Sequence, residues 1–258
     1  MPYVELPGVN LFYQDTAGTG VPVVLLHAAS GTSDSWVHQV PAFTDAGYRC
    51  ISYDRRCWGR SRPAPTGEQP GYSSVDLLGL ADHLGLDRFH LVAVAAGAVV
   101  GLDFSLLHPQ RVRSLVVADS GARVQEPDYQ EVQRRLRPPE IDELPIHLRE
   151  LGASYRGTNA EGTRRWREIE QASLQDGIHG TAQPLHQPMS YARLETLRVP
   201  VLLIGGEADL LSPPALMRMM ADHIPGGQFL SVPEAGHAAF WEQPEVWNRL
   251  VLDFIKDK

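Results

Sequence analysis

A repeated alternation constrains this chain more than any single motif. Short apolar runs rich in β-branched residues recur, each followed by a longer segment of helical period. The runs are VPVVLLHA (21–28), YRCISYD (48–54), FHLVAVA (89–95), VRSLVVAD (112–119), VPVLLIGG (199–206) and GQFLSVP (227–233). A strand with one wet face alternates apolar and polar residues, whereas a near-continuous apolar run is what a strand buried on both faces requires. Strands separated by helices can pair in parallel, so the pattern predicts an α/β fold, a mostly parallel central sheet flanked by helices.

The flanking segments refine this picture. YVELP and NLFYQD do alternate and predict an antiparallel edge hairpin around Gly8. SSVDLLGLADHLG reads as a helix that Ser73 or Ser74 can cap, and PEVWNRLVLDFIKD as one with Pro244 in its first turn. Between Ser120 and Pro200 the rhythm changes to a polar, helical stretch without a strand signal. At 258 residues the chain suits one domain with an insertion. Residues 1–120 and 196–258 are expected to form the sheet core, and 121–195 a helical lid.

Composition excludes several roles. The net charge of −8 is spread along the chain, which argues against a nucleic-acid partner, and the arginines from Arg134 to Arg137 have glutamates nearby, as on a solvated helix face. Cys50 and Cys57 alone make no disulfide framework. No apolar run reaches the roughly eighteen residues of a membrane span, and MPYVELPGVNLFYQ lacks the basic flank and apolar core of a signal peptide. The expectation is a reduced, cytoplasmic protein without membrane contact.

Chemistry concentrates at the ends of the predicted strands, where open α/β sheets place their sites. LLHAASG follows the first long run, YDRRCWGRS the second and HLVAVAAGAVVG the third, while GGEADLLSPP and PEAGHAAFWEQP follow the last two. Together these segments resemble the α/β-hydrolase fold family over nearly the whole chain from Val21. The resemblance implies an oxyanion loop at His27–Gly31, with Ala28 where glycine is usual. It also implies a supporting Asp-x-Arg-Gly-x-Gly-x-Ser segment at Asp54–Ser61, with Cys57 replacing the first glycine. Asp209 and His237 fall in the family's order of acid then base, and the backbone N–H groups of Ala29 and Ala96 would form the oxyanion hole. Asp119 is the alternative acid.

The elbow departs from the family's Gly-x-Ser-x-Gly. Here Ala93, Val94, Ala95, Ala96 and Gly97 keep the small residues, but Ala95 stands where the nucleophile belongs. An alanine side chain cannot attack a carbonyl, so acyl-enzyme chemistry through position 95 is closed to the chain as written. Three readings stand. The chain is a serine hydrolase disarmed at Ala95, or an oxygenase or lyase that needs no cofactor and uses the His237–Asp209 pair as a general base, or a ligand-binding relative without catalysis. Ser30 and Ser120 read as turn or cap residues, and Cys57 as structural, not as substitute nucleophiles.

A pocket between strand ends and lid would be lined by Trp36, Trp58, Trp166, His179, His186 and Met189, with Phe240 and Trp241 as a wall. Such a lining suits a small apolar ester, lactone or diketone as the partner molecule. No His-Glu-x-x-His, Gly-x-Gly-x-x-Gly or P-loop pattern is present, so neither a metal nor a cofactor is expected.

Overall fold

The computed structural model describes residues 2–64, 71–177, 180–181 and 183–258. Its strands are β1 (Tyr3–Leu6), β2 (Val9–Asp15), β3 (Pro22–Leu26), β4 (Arg49–Tyr53), β5 (Arg62–Pro63), β6 (Phe89–Val94), β7 (Val112–Ala118), β8 (Val201–Gly206) and β9 (Gln228–Val232). They form one sheet in the order β1-β2-β4-β3-β6-β7-β8-β9, with β5 paired to β2. From β4 to β9 every neighbouring pair is parallel, while β1 and β2 form the antiparallel hairpin and Gly8 turns at φ +80°.

The pleat divides the buried strand residues between two cores. Val24, Leu26, Leu91, Ala93, Leu115 and Val117 face the helices Ser73–His83, Ala96–Leu107 and Pro214–Asp222. Val23, Leu25, Val92, Val94, Val116 and Ala118 face the other side, against Trp247 and Val251 of the helix Pro244–Ile255. Both faces being covered is why these strands read as continuous apolar runs. Pro244 does occupy the first turn of its helix. Ser73 and Ser74 do not cap theirs: the cap position is Tyr72, and the two hydroxyls donate to Gln183 and Asp103 instead.

Between β7 and β8 the chain forms helices at Pro127–Leu136, Glu140–Glu143, Ile146–Glu150, Ala153–Thr158, Ala160–Ser173 and Tyr191–Leu194, with no strand among the described residues. No described helix is long and apolar enough to cross a membrane. The helix Ala160–Ser173 is pinned by Trp166, whose ring packs 5.9 Å from Phe240 and 5.4 Å from Trp241. The segments that follow β3, β4, β6, β7, β8 and β9 all emerge at the same edge of the sheet, and this edge carries the site.

Candidate active site

Ala95 joins β6 to the helix Ala96–Leu107 in a conformation, φ +49° and ψ −115°, that L-residues rarely adopt. Its neighbours hold it there. The Ala95 N–H donates to Ala118 O (2.9 Å), and Ser120 Oγ donates to Ala95 O (2.8 Å). Gly97 is required two residues on, because a Cβ there would collide with the carbonyl oxygens of Leu26 and His27. The turn therefore presses the new helix against β3, and the side chain at 95 is presented to the cleft.

His237 follows β9 and Asp209 follows β8. The imidazole Nδ1 lies 2.8 Å from Asp209 Oδ2 and 3.0 Å from Oδ1, and the N–H groups of Leu211 and Ser212 also donate to Oδ1. Burial by itself lowers the pKa of His237, but the charge and hydrogen bond of Asp209, with further contributions from Asp119 and Glu150, bring it up to about 9. With Nδ1 committed to Asp209, Nε2 is the nitrogen left for proton transfer. Asp119 is fully buried after β7: Gly206 N–H donates to its Oδ1, and Oδ2 has no partner among the described residues. Burial and the nearby Asp209 charge raise its pKa well above the usual carboxylate range, while His237 acts to lower it.

The loop after β3 is organised by His27. Its Nδ1 lies 2.6 Å from Ala28 O, and Nε2 accepts from the Arg55 N–H at 2.9 Å, which fixes a neutral tautomer; burial lowers its pKa to about 3. Asp54 accepts from the Ser33 N–H and Oγ and from the Arg60 N–H and Nε, and Arg56 pairs with buried Asp76 at 2.6 Å. Gly59 turns at φ +52° beneath Asp54, where a Cβ would lie 2.5 Å from Oδ2. Cys57 holds φ +70°, so the glycine position keeps its left-handed backbone without a glycine.

This scaffold leaves an open cleft of about 370 Å³ lined by Ala29, Ala95, Ala96, Asp119, Ser120 and His237, among others. Ala96 is the first helical residue, so its N–H has no intrahelical acceptor, and the Ala29 N–H makes no loop hydrogen bond among the described residues. Two donors and a His–Asp pair thus surround one space. Residues 23–250 match the model of the alpha/beta hydrolase family. The chain belongs to that family. BpoC of Mycobacterium tuberculosis (strain H37Rv), whose name carries a provisional non-heme bromoperoxidase assignment, is 30% identical over 96% of this chain and 98% of its own. A 2-hydroxy-6-oxononadienedioate/2-hydroxy-6-oxononatrienedioate hydrolase of Paraburkholderia phymatum is 28% identical over 96% of this chain and 91% of its own. A malate-bound thermophilic esterase of Thermogutta terrifontis has a similar structure, with a TM-score of 0.82 and 28% identity over 99% of this chain and 98% of its own.

Within this alpha/beta hydrolase scaffold, several lining assignments need correction. Trp36, Trp166 and Phe240 do not line the cleft. They are at most 2% exposed and interlock with Trp241 and Trp247 beneath the lid, Trp36 packing 5.0 Å from Phe240. Met189 is buried in the opposite core, and His179 lies outside the described residues. Trp58 does line a cavity beside the elbow, with its indole N–H donating to Ala29 O. His186 sits behind that cavity, stacked on Tyr72 and 2.9 Å from Asp103. Ser120 serves its turn, Ser30 lies buried in its loop outside the cleft, and burial raises the Cys57 thiol pKa, which disfavours the thiolate. Arg134 and Arg135 pair with Glu131 on the solvent side, but Arg137 turns to the cleft rim.

Two acids were invisible in the local sequence. Glu242 Oε1 accepts from the N–H groups of Gly152 and Gly236, both 3.0 Å, and so ties the lid to the histidine loop; burial raises its pKa to about 7. Glu150, also buried and raised by burial, receives the Trp166 indole N–H at 3.1 Å.

Proposed function

We propose that this chain is an ester-, lactone- or carbon-carbon-bond hydrolase of the alpha/beta hydrolase family whose nucleophile position is occupied by Ala95. The observation carrying the reading is the His237–Asp209 pair, 2.8 Å apart, in the cleft that also holds the strained elbow and two backbone donors. With serine at 95, the hydroxyl would attack the substrate carbonyl while His237 takes its proton and Asp209 stabilises the imidazolium. The N–H groups of Ala29 and Ala96 would receive the developing oxyanion, a contribution of roughly 3–4 kcal/mol per donor. In the chain as it stands, only water activated by His237 is available as nucleophile. The test is hydrolysis of p-nitrophenyl esters and lactones by this chain and by Ala95→Ser. A large gain with an acyl-enzyme burst supports the reading; no gain in the serine form rejects it.

A second reading has its own support in the acids around His237. An imidazole with a pKa of about 9 is a stronger base than an ordinary histidine and suits abstraction of a proton from an activated carbon acid. Oxygen uptake or carbon-carbon cleavage by the alanine form, unchanged in Ala95→Ser, would select it. Localisation in the cytoplasm and the absence of nucleic-acid or membrane partners remain part of this proposal.

A further inference from the structure

Beside the elbow, on the far side of Ala96 and Val99 from His237, lies a second cavity of about 100 Å³. Ala29, Ala96, Val99 and Arg123 line both spaces, so the two are adjoining compartments of one site. The smaller compartment has an unusual wall. Arg55 is 3% exposed there, its guanidinium carbon 4.2 Å over the Trp58 ring and its NH2 group 3.3 Å from Ala28 O. Its Nε is buried with no partner, and no carboxylate forms a salt bridge with it among the described residues.

The acids nearby face other partners. Asp54 is held by Ser33 and Arg60 and Asp76 by Arg56, while Asp103, which lines the same cavity, has Oδ2 held by Ser74 at 2.8 Å and His186 at 2.9 Å and Oδ1 without a hydrogen bond, 3.8 Å from Arg193. His27, against the Arg55 backbone, is neutral, and Tyr53 is a buried phenol whose pKa burial raises further. Burial lowers the pKa of Arg55 only to about 10, so the group stays cationic at neutral pH. A buried guanidinium without a counter-ion is costly, and a planar anion matches its fork of donors. Arg123 adds a second cation to the same wall, and Arg137 a third at the rim of the larger cleft. A volume of 100 Å³ is that of roughly three water molecules, enough for a carboxylate and a carbon or two.

We propose that Arg55, in the compartment it shares with Trp58 and Arg123, binds a carboxylate of the substrate, so that the cleaved bond lies over Ala95 and the substrate is a short ester, lactone or oxo compound bearing an acid group. The naming of the cleaved bond rests on the hydrolase reading; the carboxylate site does not. It replaces the apolar substrate suggested by Trp36, Trp166 and Phe240, which are core.

The test separates binding from turnover. Glutarate and its neutral counterpart glutaramide are titrated into the unaltered Ala95 chain, following tryptophan fluorescence and heat, and the titration is repeated with Arg55→Met and Arg55→Lys. Saturable glutarate binding with Kd on the order of 1 mM or tighter, absent for glutaramide and weakened at least about 30-fold in Arg55→Met, is the expected result. Partial retention in Arg55→Lys would fit a charge contact without the fork. Equal binding of diacid and diamide, or no binding of glutarate to the unaltered chain, overturns the proposal whether or not Arg55→Met folds. Ala95→Ser is then assayed on p-nitrophenyl hydrogen glutarate and p-nitrophenyl butyrate. Turnover of the butyrate with no preference for the acid ester sinks the carboxylate site and leaves the hydrolase reading intact. Glutarate binding with no turnover of either ester does the reverse.

Discussion

The proton affinity of His237 sets a pH dependence that can be worked out from its surroundings. Burial would depress the imidazole, but Asp209, aided by Asp119 and Glu150, raises it from 6.5 to about 9. A group with a raised folded pKa adds stability that is complete below its unfolded pKa and is lost as pH rises through the folded one. For His237 the window runs from 6.5 to about 9, and a shift of that size corresponds to about 3 kcal/mol. Urea unfolding of the chain and of His237→Asn, at pH values on either side of the window, should show the stability advantage of the parent shrinking by about that amount. The same ionisation would govern turnover in Ala95→Ser. At pH 7 about 1% of an imidazole with this pKa is neutral and able to act as base, so ester hydrolysis should climb roughly fifty-fold by pH 9. Parallel loss of stability in parent and variant, together with kcat/KM flat above pH 7, would refute the electrostatic account of this site.

Three other perturbations test the scaffold. Glu242→Ala leaves the N–H groups of Gly152 and Gly236 unpaired, at about 1–3 kcal/mol each; it also removes the stability loss that the parent suffers as pH rises from 4.5 through about 7, because burial raises this acid. Thermal unfolding on both sides of that window checks the two effects separately. Gly97→Ala drives a Cβ into the carbonyls of Leu26 and His27 and should cost about 1–3 kcal/mol or more, read as a lowered Tm. Cys57→Gly, at φ +70°, should gain up to about 1 kcal/mol in urea unfolding, the relief of a left-handed backbone less the added entropy of the unfolded chain.

The sheet was legible because its strands are buried on both faces, and that demand writes itself into consecutive residues such as Val92 to Val94 and Leu115 to Ala118. The His237–Asp209 pairing was legible for a related reason: parallel strands deliver their following loops to one edge, so order along the chain becomes proximity. The lining was not. Trp166 and Phe240 are large aromatics near the right loops, but sequence does not say which face of a helix meets the core, and here the aromatic faces meet each other. Ser73 and Ser74 failed as caps because Tyr72 takes the extended position and the hydroxyls bond across the fold to Gln183 and Asp103. Arg55 carried only a faint signal. It is one of two consecutive arginines at a strand end, and only Arg56 finds a carboxylate; that asymmetry appears once Asp76 is brought alongside.

The alanine at position 95 gains nothing from the backbone it occupies. A non-glycine residue in that region costs on the order of 1–3 kcal/mol, and such strain persists only where surrounding contacts over-determine it. Those contacts are all backbone or belong to other residues: Ala118 O on the Ala95 N–H, Ser120 Oγ on its carbonyl, and Gly97 against Leu26 and His27. None depends on the identity of the side chain at 95, so serine would enter the same turn without rearrangement. The donors at Ala29 and Ala96 are backbone groups and are equally indifferent to it. The difference between alanine and serine at 95 is therefore confined to one oxygen atom, while the elbow, the N–H groups of Ala29 and Ala96, the His237–Asp209 pair and the buried Arg55 are the same for either. A scaffold relaxed into pure binding would have no reason to keep the strain, and that is why placing a single hydroxyl at position 95 is the most economical way to distinguish an enzyme from a receptor here.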